Sequence, residues 1–298
     1  MCEAIQTEGL QKRLGDFCLG PIDLQVPQGT VVGLVGSNGA GKTTLIKCLL
    51  GLAFPDEGAV SILGETVCGA RPATRGIPDA LKERIGVVLD TCAFLQESRV
   101  ADIGSLGKVA YARWDQGLFE RLLGDFGLSS QKSVKELSRG MGMKLTLAFA
   151  LSHHPDLLIL DEATAGLDPL ARDELFDLLR DFMADERHAI LMATHITTDL
   201  EKLADTIVCI DDGKVAFSAT KDAICNEAGV AHCSAALLER VSASGAAGLD
   251  GLRVMRREYG TDVLVADRFA FARNFPDVPV DNASVDDYMA FVLKGELL

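Results

Sequence analysis

Residues 30–43 read TVVGLVGSNGAGKT, and this stretch decides the architecture. Thr30 to Val35 is apolar and rich in β-branched residues, the composition of a strand buried on both faces in a parallel sheet. Gly36-Ser37-Asn38-Gly39-Ala40-Gly41-Lys42-Thr43 then fits GxxxxGK[ST]. The glycines admit turns that a Cβ forbids, so successive N–H groups point inward. An apolar helix from about Lys42 to Leu52 brings the partial positive charge of its N-terminus. In such a loop the lysine reaches the β- and γ-phosphates and the threonine hydroxyl ligates Mg²⁺, so the stretch predicts a site for ATP with Mg²⁺.

Further along, Ile85–Leu89, Leu157–Leu160 and Ala189–Thr194 are short apolar runs that read as buried strands. Residues 91–150 read as mainly helical, and an amphipathic helix starts at Pro169, where its fixed φ suits the first turn. Asp211-Asp212-Gly213 between two apolar runs signals a hairpin. Strands alternating with helices argue a parallel α/β core with an antiparallel edge. Beyond about residue 225 the composition shifts. A second hairpin is expected around Gly260, and Ser284 to Asp287 reads as a cap for a last helix, which together make a small α+β appendage.

The run Leu157–Leu160 ends in Asp161-Glu162. A carboxylate there can hold the Mg²⁺ shell, which suits Asp161, and Glu162 can polarise an attacking water as general base. His195 follows the strand Ala189–Thr194; it either reaches a γ-phosphate from the sheet edge or is a surface or capping histidine. His153 and His154, before Pro155, read as a solvated helix terminus.

The chain has 298 residues, 48% of them hydrophobic, and a net charge of −14. Such an acidic chain is a poor partner for nucleic acid or anionic lipid, so a triphosphate needs a local device. Eight cysteines form no CxxC pair and no zinc-ligand spacing; they read as reduced, mostly buried small apolar residues of a cytosolic protein. The first nine residues lack a signal-peptide pattern, and no run of about 18 apolar residues is present.

Leu137-Ser138-Arg139-Gly140-Met141 resembles the LSGGQ signature of ABC ATPases, and residues 151–169 (LSHHPDLLILDEATAGLDP) resemble the segment from signature helix through the strand-end acids to the D-loop. Thr194-His195 looks like the switch histidine. With five ordered motifs over residues 5–225, the chain resembles the ATP-binding subunits of bacterial ABC-2 type exporters, of the bacitracin-resistance and acetoin-utilisation kinds. The resemblance implies a P-loop NTPase core at 1–225 with a helical subdomain at about 91–150, and the composition shift sets the appendage at 226–298 apart from it. It implies two subunits arranged head to tail around two ATP molecules, with Ser138 and Gly140 facing the γ-phosphate held by the other subunit. Thr44 and Asp168 are implied to touch nucleotide as well. A separate membrane-spanning permease, driven from the inner face of the membrane, completes the implied exporter; the alternative is a soluble ABC-type ATPase acting on a non-transport target.

The sequence departs from the family's pattern in four places. Asp90 stands where glutamine is usual; it is expected to approach nucleotide, Mg²⁺ or water. Arg139 and Met141 replace glycine and glutamine, and Ala163 replaces proline. The adenine-stacking tyrosine is missing, and Phe17 is either its substitute or a core residue. Cys92, Ala93, Phe94, Leu95, Tyr111 and Trp114 either form a groove for a partner helix or pack the helical region. The tail carries no chemical motif and is open to a dimerising role, a regulatory one or neither.

Overall fold

A computed structural model describes residues 3–68, 76–243, 252–258 and 260–297. Strands β1 (Glu3–Leu14), β2 (Phe17–Ile22) and β3 (Gln25–Pro27) precede β4 (Val31–Val35) and α1 (Lys42–Leu49). The hairpin β5 (Glu57–Ile62) and β6 (Glu65–Cys68) follows, then α2 (Asp79–Lys82) and β7 (Ile85–Val88). Next come α3 (Val100–Ala110), α4 (Gln116–Asp125) and α5 (Arg139–Leu151). β8 (Leu157–Asp161), α6 (Pro169–Phe182), β9 (Ala189–Ala193) and α7 (Thr197–Leu203) alternate, and β10 (Thr206–Asp211) pairs with β11 (Lys214–Thr220). The remainder is β12 (Gly229–Cys233), α8 (Ala235–Ala243), β13 (Arg253–Arg257), β14 (Gly260–Val265), α9 (Arg268–Asn274), β15 (Val280–Asn282), α10 (Val285–Lys294) and β16 (Glu296–Leu297).

The central sheet runs β11-β10-β4-β9-β8-β7, parallel except for the edge strand β11. Every residue of β4, β8 and β9 is buried, and alternate side chains serve two different cores. Val31, Val35, Leu158, Leu160, Ile190 and Met192 pack with the helices α4, α5 and α6. Val32, Leu34, Ile159 and Leu191 pack instead with α1 and the antiparallel strands β1, β2 and β5. A strand with an apolar requirement on both faces must be apolar throughout, which is why these runs do not alternate. Each such Val, Leu or Ile side chain contributes roughly 1.5–3 kcal/mol.

The second sheet, β2-β1-β5-β6 with β3 on β1, is antiparallel and was not foreseen as strands. The stretch 91–150, expected to be mainly helical, holds three helices and a 3₁₀ turn at Val134–Glu136. His153 is a correction. It is not solvated but 1% exposed, its ring stacked on Tyr111 at 4.0 Å and its Nδ1 3.1 Å from the Glu83 carbonyl. The turn after α5, closed by the His154 N–H on the Leu151 carbonyl at 3.1 Å, carries it there. The cysteines are also less buried than expected: of the seven described, all free, Cys48, Cys209 and Cys233 are buried, while Cys18 is exposed. Cys2 lies outside the described residues, as does Tyr259 of the second hairpin.

The third sheet, β15-β12-β14-β13-β16, is antiparallel throughout and encloses its own apolar cluster around Val254, Val263 and Phe271. Helix α10 starts with a Ser284/Asp287 capping box. It joins this part to the rest: Val285 is fully buried in the helical core, its N–H donates to Glu201 Oε1 at 2.9 Å, and Tyr288 meets Phe217 edge-on at 5.0 Å.

Candidate nucleotide site

Four strand ends open on one edge of the central sheet. Gly36 follows β4, Asp90 lies beyond β7, Asp161 closes β8 and His195 lies beyond β9. Ala193 is the register partner of both Leu34 and Asp161, so the ends stand level. Carboxyl ends of parallel strands are where open α/β sheets form a ligand crevice.

The loop after β4 requires its glycines for reasons of space. A Cβ on Gly36 would lie 2.1 Å from the Ile210 carbonyl oxygen of β10. At Gly41, with φ +118°, it would meet Leu19 Cδ1 at 2.8 Å and Phe17 Cζ at 3.1 Å. The Phe17 ring therefore stands against the last turn of the loop, half-buried and packed on the core shared by α1 and the antiparallel strands. Among the described residues no side chain caps α1, and the first N–H groups of a helix left uncapped in this way are donors that suit an anion. Thr44 is half-buried in that turn, and Ser37, Asn38 and Gly39 are exposed while Ala40 is buried.

Lys42 is 6% exposed and folds back on the loop, donating from Nζ to the carbonyls of Gly36 at 2.7 Å and Ser37 at 3.1 Å. Burial lowers its pKa, and the carboxylates of Glu162 and Asp161 oppose that shift. Thr43 Oγ1 donates to Asp161 Oδ2 at 2.9 Å. Asp161 is 2% exposed; burial raises its pKa, the Thr43 hydrogen bond acts against this, and the charges of Glu162 and Asp90 add to the rise. Its Oδ1 is buried without a hydrogen-bond partner among the described residues. A buried, orphaned carboxylate oxygen beside a hydroxyl is a hard-oxygen donor set that fits Mg²⁺.

Glu162 adopts φ +55°, a left-handed conformation that a non-glycine residue holds only when its surroundings impose it. Its N–H donates to the Ala193 carbonyl at 2.9 Å, and its Oε2 lies 2.7 Å from His195 Nδ1. The turn thus aims the carboxylate at His195, a contact the sequence does not announce. Glu162 and His195 line a cleft of about 440 Å³ with Asn38, Asp90, Arg139 and Gly166. Arg139 was noted only as a departure from a pattern, and its place in this cleft was missed.

Ser138 and Gly140 are not part of that cleft. Ser138 caps α5, accepting from the Met141 N–H at 3.2 Å, and lines a neighbouring cleft of about 490 Å³ with Asp90 and Gln96. Gly140 packs so closely on the D-loop that a Cβ would stand 3.1 Å from the Gly166 oxygen. Asp168 caps α6 through the Ala171 N–H at 3.0 Å, with Pro169 at the first helical position. Phe94, Tyr111 and Trp114 gather around Phe149 with ring centroids 5.0–5.8 Å apart, whereas Leu95 is 75% exposed. The aromatic residues thus pack the helical region, and the aliphatic one faces outward.

The family model described as ABC transporter matches residues 19–165. The chain is 38% identical over 219 residues to the Nod factor export ATP-binding protein I of Burkholderia orbicola (strain AU 1054), covering 70% of this chain and 68% of that one. The chain belongs to the ABC transporter family. Another ABC relative, the daunorubicin resistance ATP-binding protein DrrA3 of Streptomyces coeruleorubidus, is 36% identical over 233 residues, or 76% of this chain and 71% of that protein. A solved ATP-binding subunit of an ABC transporter superposes with a TM-score of 0.65 at 29% identity, covering 74% of this chain and 91% of the other. This ABC protein is accordingly an ATP-binding subunit and an ATPase. A solved neighbour at 25% identity and a TM-score of 0.62, cbiO1 from Clostridium perfringens, is described as part of an ABC transporter complex. Among its described residues no helix is long and apolar enough to cross a membrane.

Proposed function

We propose that this subunit hydrolyses ATP with Glu162 as general base and thereby powers export through a separate membrane-spanning permease. The observation that carries the reading is the Glu162 carboxylate, aimed at His195 by a left-handed turn and set beside the Lys42 loop. Backbone N–H groups of residues 36–44 and the Lys42 ammonium bind the phosphates. Thr43 and Asp161 hold Mg²⁺, with Asp90 facing them; when bound, the ion neutralises phosphate charge. Glu162 takes a proton from the attacking water as its oxygen bonds to the γ-phosphorus. The bond to the β-phosphate bridging oxygen breaks, leaving ADP and phosphate. His195 holds the carboxylate in place, and Phe17 offers an aromatic face to adenine.

Ser138, Gly140 and Asp168 serve the site of a second subunit, homologous or identical, because a signature-helix N-terminus outside its own cleft is complementary to a facing phosphate loop. The chain divides into an ATPase part at 1–225 and an appendage at 226–298; the separate apolar cluster of the third sheet supports this division. Export rather than uptake is supported by the relatives named for Nod factor export and daunorubicin resistance. Leu95, Leu106 and Val109, which are 75%, 49% and 87% exposed on the helical region, offer the permease an apolar contact. The subunit then lies in the cytoplasm, held at the inner face of the membrane by that partner.

Affinity purification of the full chain from detergent-solubilised membranes tests this reading. A polytopic membrane protein is expected to co-elute, and Leu95→Asp with Val109→Asp is expected to release it. Recovery of soluble partners alone overturns the transport reading.

A further inference from the structure

Arg139 and Asp90 carry opposite charges, and both line the catalytic-side cleft and the neighbouring cleft that holds Ser138. They form the wall that the two clefts share. Neither side chain has a hydrogen bond or ion pair among the described residues. The other carboxylates at this edge are engaged: Glu162 with His195 at 2.7 Å and Asp161 with Thr43 at 2.9 Å. Asp90 is the one acid of the cleft without a partner there, and Arg139 is its one unpartnered cation.

The stem of Arg139 rests on the D-loop, where a Cβ on Gly166 would stand 3.3 Å from Arg139 Cδ. Gly166 has φ +82°, so the seat is kept bare by a backbone that favours glycine. A long, exposed side chain reaches a second seat by rotation about its own bonds.

We propose that Arg139 and Asp90 are a positioning pair for ATP hydrolysis, in which the guanidinium leaves Gly166 to engage the Asp90 carboxylate. This rests on the reading of the crevice as the ATP site. The pair ties the loop after β7 to the first residue of α5, so Ser138 at the α5 cap moves with Asp90 at the sheet edge. It also neutralises the carboxylate facing Asp161, easing the crowding of negative charge where Thr43 and Asp161 meet. Neither residue takes or gives a proton, and their effect is on geometry and local charge.

A double-mutant cycle on the full chain tests the pair, with Mg-ATP as the probe and phosphate release as the readout. An exposed but well-aligned pair predicts that Asp90→Ala and Arg139→Ala each lower kcat about fivefold, and that the double variant is again about fivefold down rather than about 25-fold. The exchange D90R/R139D is expected to return kcat to within about twofold of the parent. Coupling is expected to shrink as salt is raised to about 1 M, where the screening length falls to about 3 Å. Where a variant fails to fold, Asp90→Asn and Arg139→Gln replace it in the cycle. Single effects that multiply overturn the pair. So does an R139A loss of Mg-ATP affinity with no loss in D90A, which would place the guanidinium on phosphate. Failure of the ATP-site reading itself is separately visible, because the parent chain would then bind no Mg-ATP.

Discussion

Removing His195 and removing the Glu162 carboxylate should have effects of different size, and the structure says by how much. Glu162→Gln deletes the base. General-base catalysis contributes about 10²–10⁴-fold, so kcat should fall at least about 100-fold while Mg-ATP affinity is kept. His195→Ala deletes a 2.7 Å contact to a carboxylate. A hydrogen bond to a charged group is worth about 1.5–3 kcal/mol when buried, but His195 is 53% exposed, which brings the figure to roughly 1 kcal/mol. The Glu162 backbone is still fixed by its N–H bond to Ala193, so the carboxylate loses aim but not place. His195→Ala should therefore lower kcat only about fivefold, and the double variant should be no worse than Glu162→Gln alone. Steady-state phosphate release at saturating Mg-ATP, with calorimetric affinities beside it, measures all three. A His195→Ala defect as deep as that of Glu162→Gln would refute the reasoning, since the imidazole would then be the proton acceptor or the main phosphate contact.

Gly36→Ala should destabilise the chain by at least about 2 kcal/mol, because its Cβ collides with the β10 backbone, and should weaken Mg-ATP binding by displacing the loop. Gly39→Ala is the comparison: its Cβ meets nothing within 4 Å, so only the strain of φ +85° applies, about 1–2 kcal/mol, and thermal melts should rank the two. Burial pushes the His153 pKa down to about 4. The unfolded chain, near 6.5, thus binds the proton more readily, and stability present above pH 6.5 is lost as pH falls towards 4, by at most roughly 3 kcal/mol. Denaturant titrations of parent and His153→Gln across that range should show a larger loss of stability on acidification in the parent.

Much of the crevice was legible because its chemistry is local in sequence. GSNGAGKT carries its own turn, cation and hydroxyl in eight positions, and LLILDE carries strand and acids together. The antiparallel sheet was not legible, for a physical reason. β1 changes register partway, at Leu10/Lys12 against β2 and at Glu8/Gln11 against β5, so its buried positions lose the period of two that marks a strand. His153 was misread because its burial is created by Tyr111 and Glu83, which are distant in sequence. Arg139 was visible as an odd residue, but its proximity to Asp90 and Gly166 exists only after folding.

Helix α10 has a practical consequence for anyone shortening this chain. Cutting after residue 225 would strip Val285 and Tyr288 from their seats, leave the Glu201 carboxylate without its N–H donor and bare Phe217 and Ile224 to water. α7, which begins two residues after His195, would lose its outer brace. The trimmed protein would carry an adhesive patch next to its own catalytic machinery, so self-association in such a fragment would reflect the cut and not the native mode of pairing.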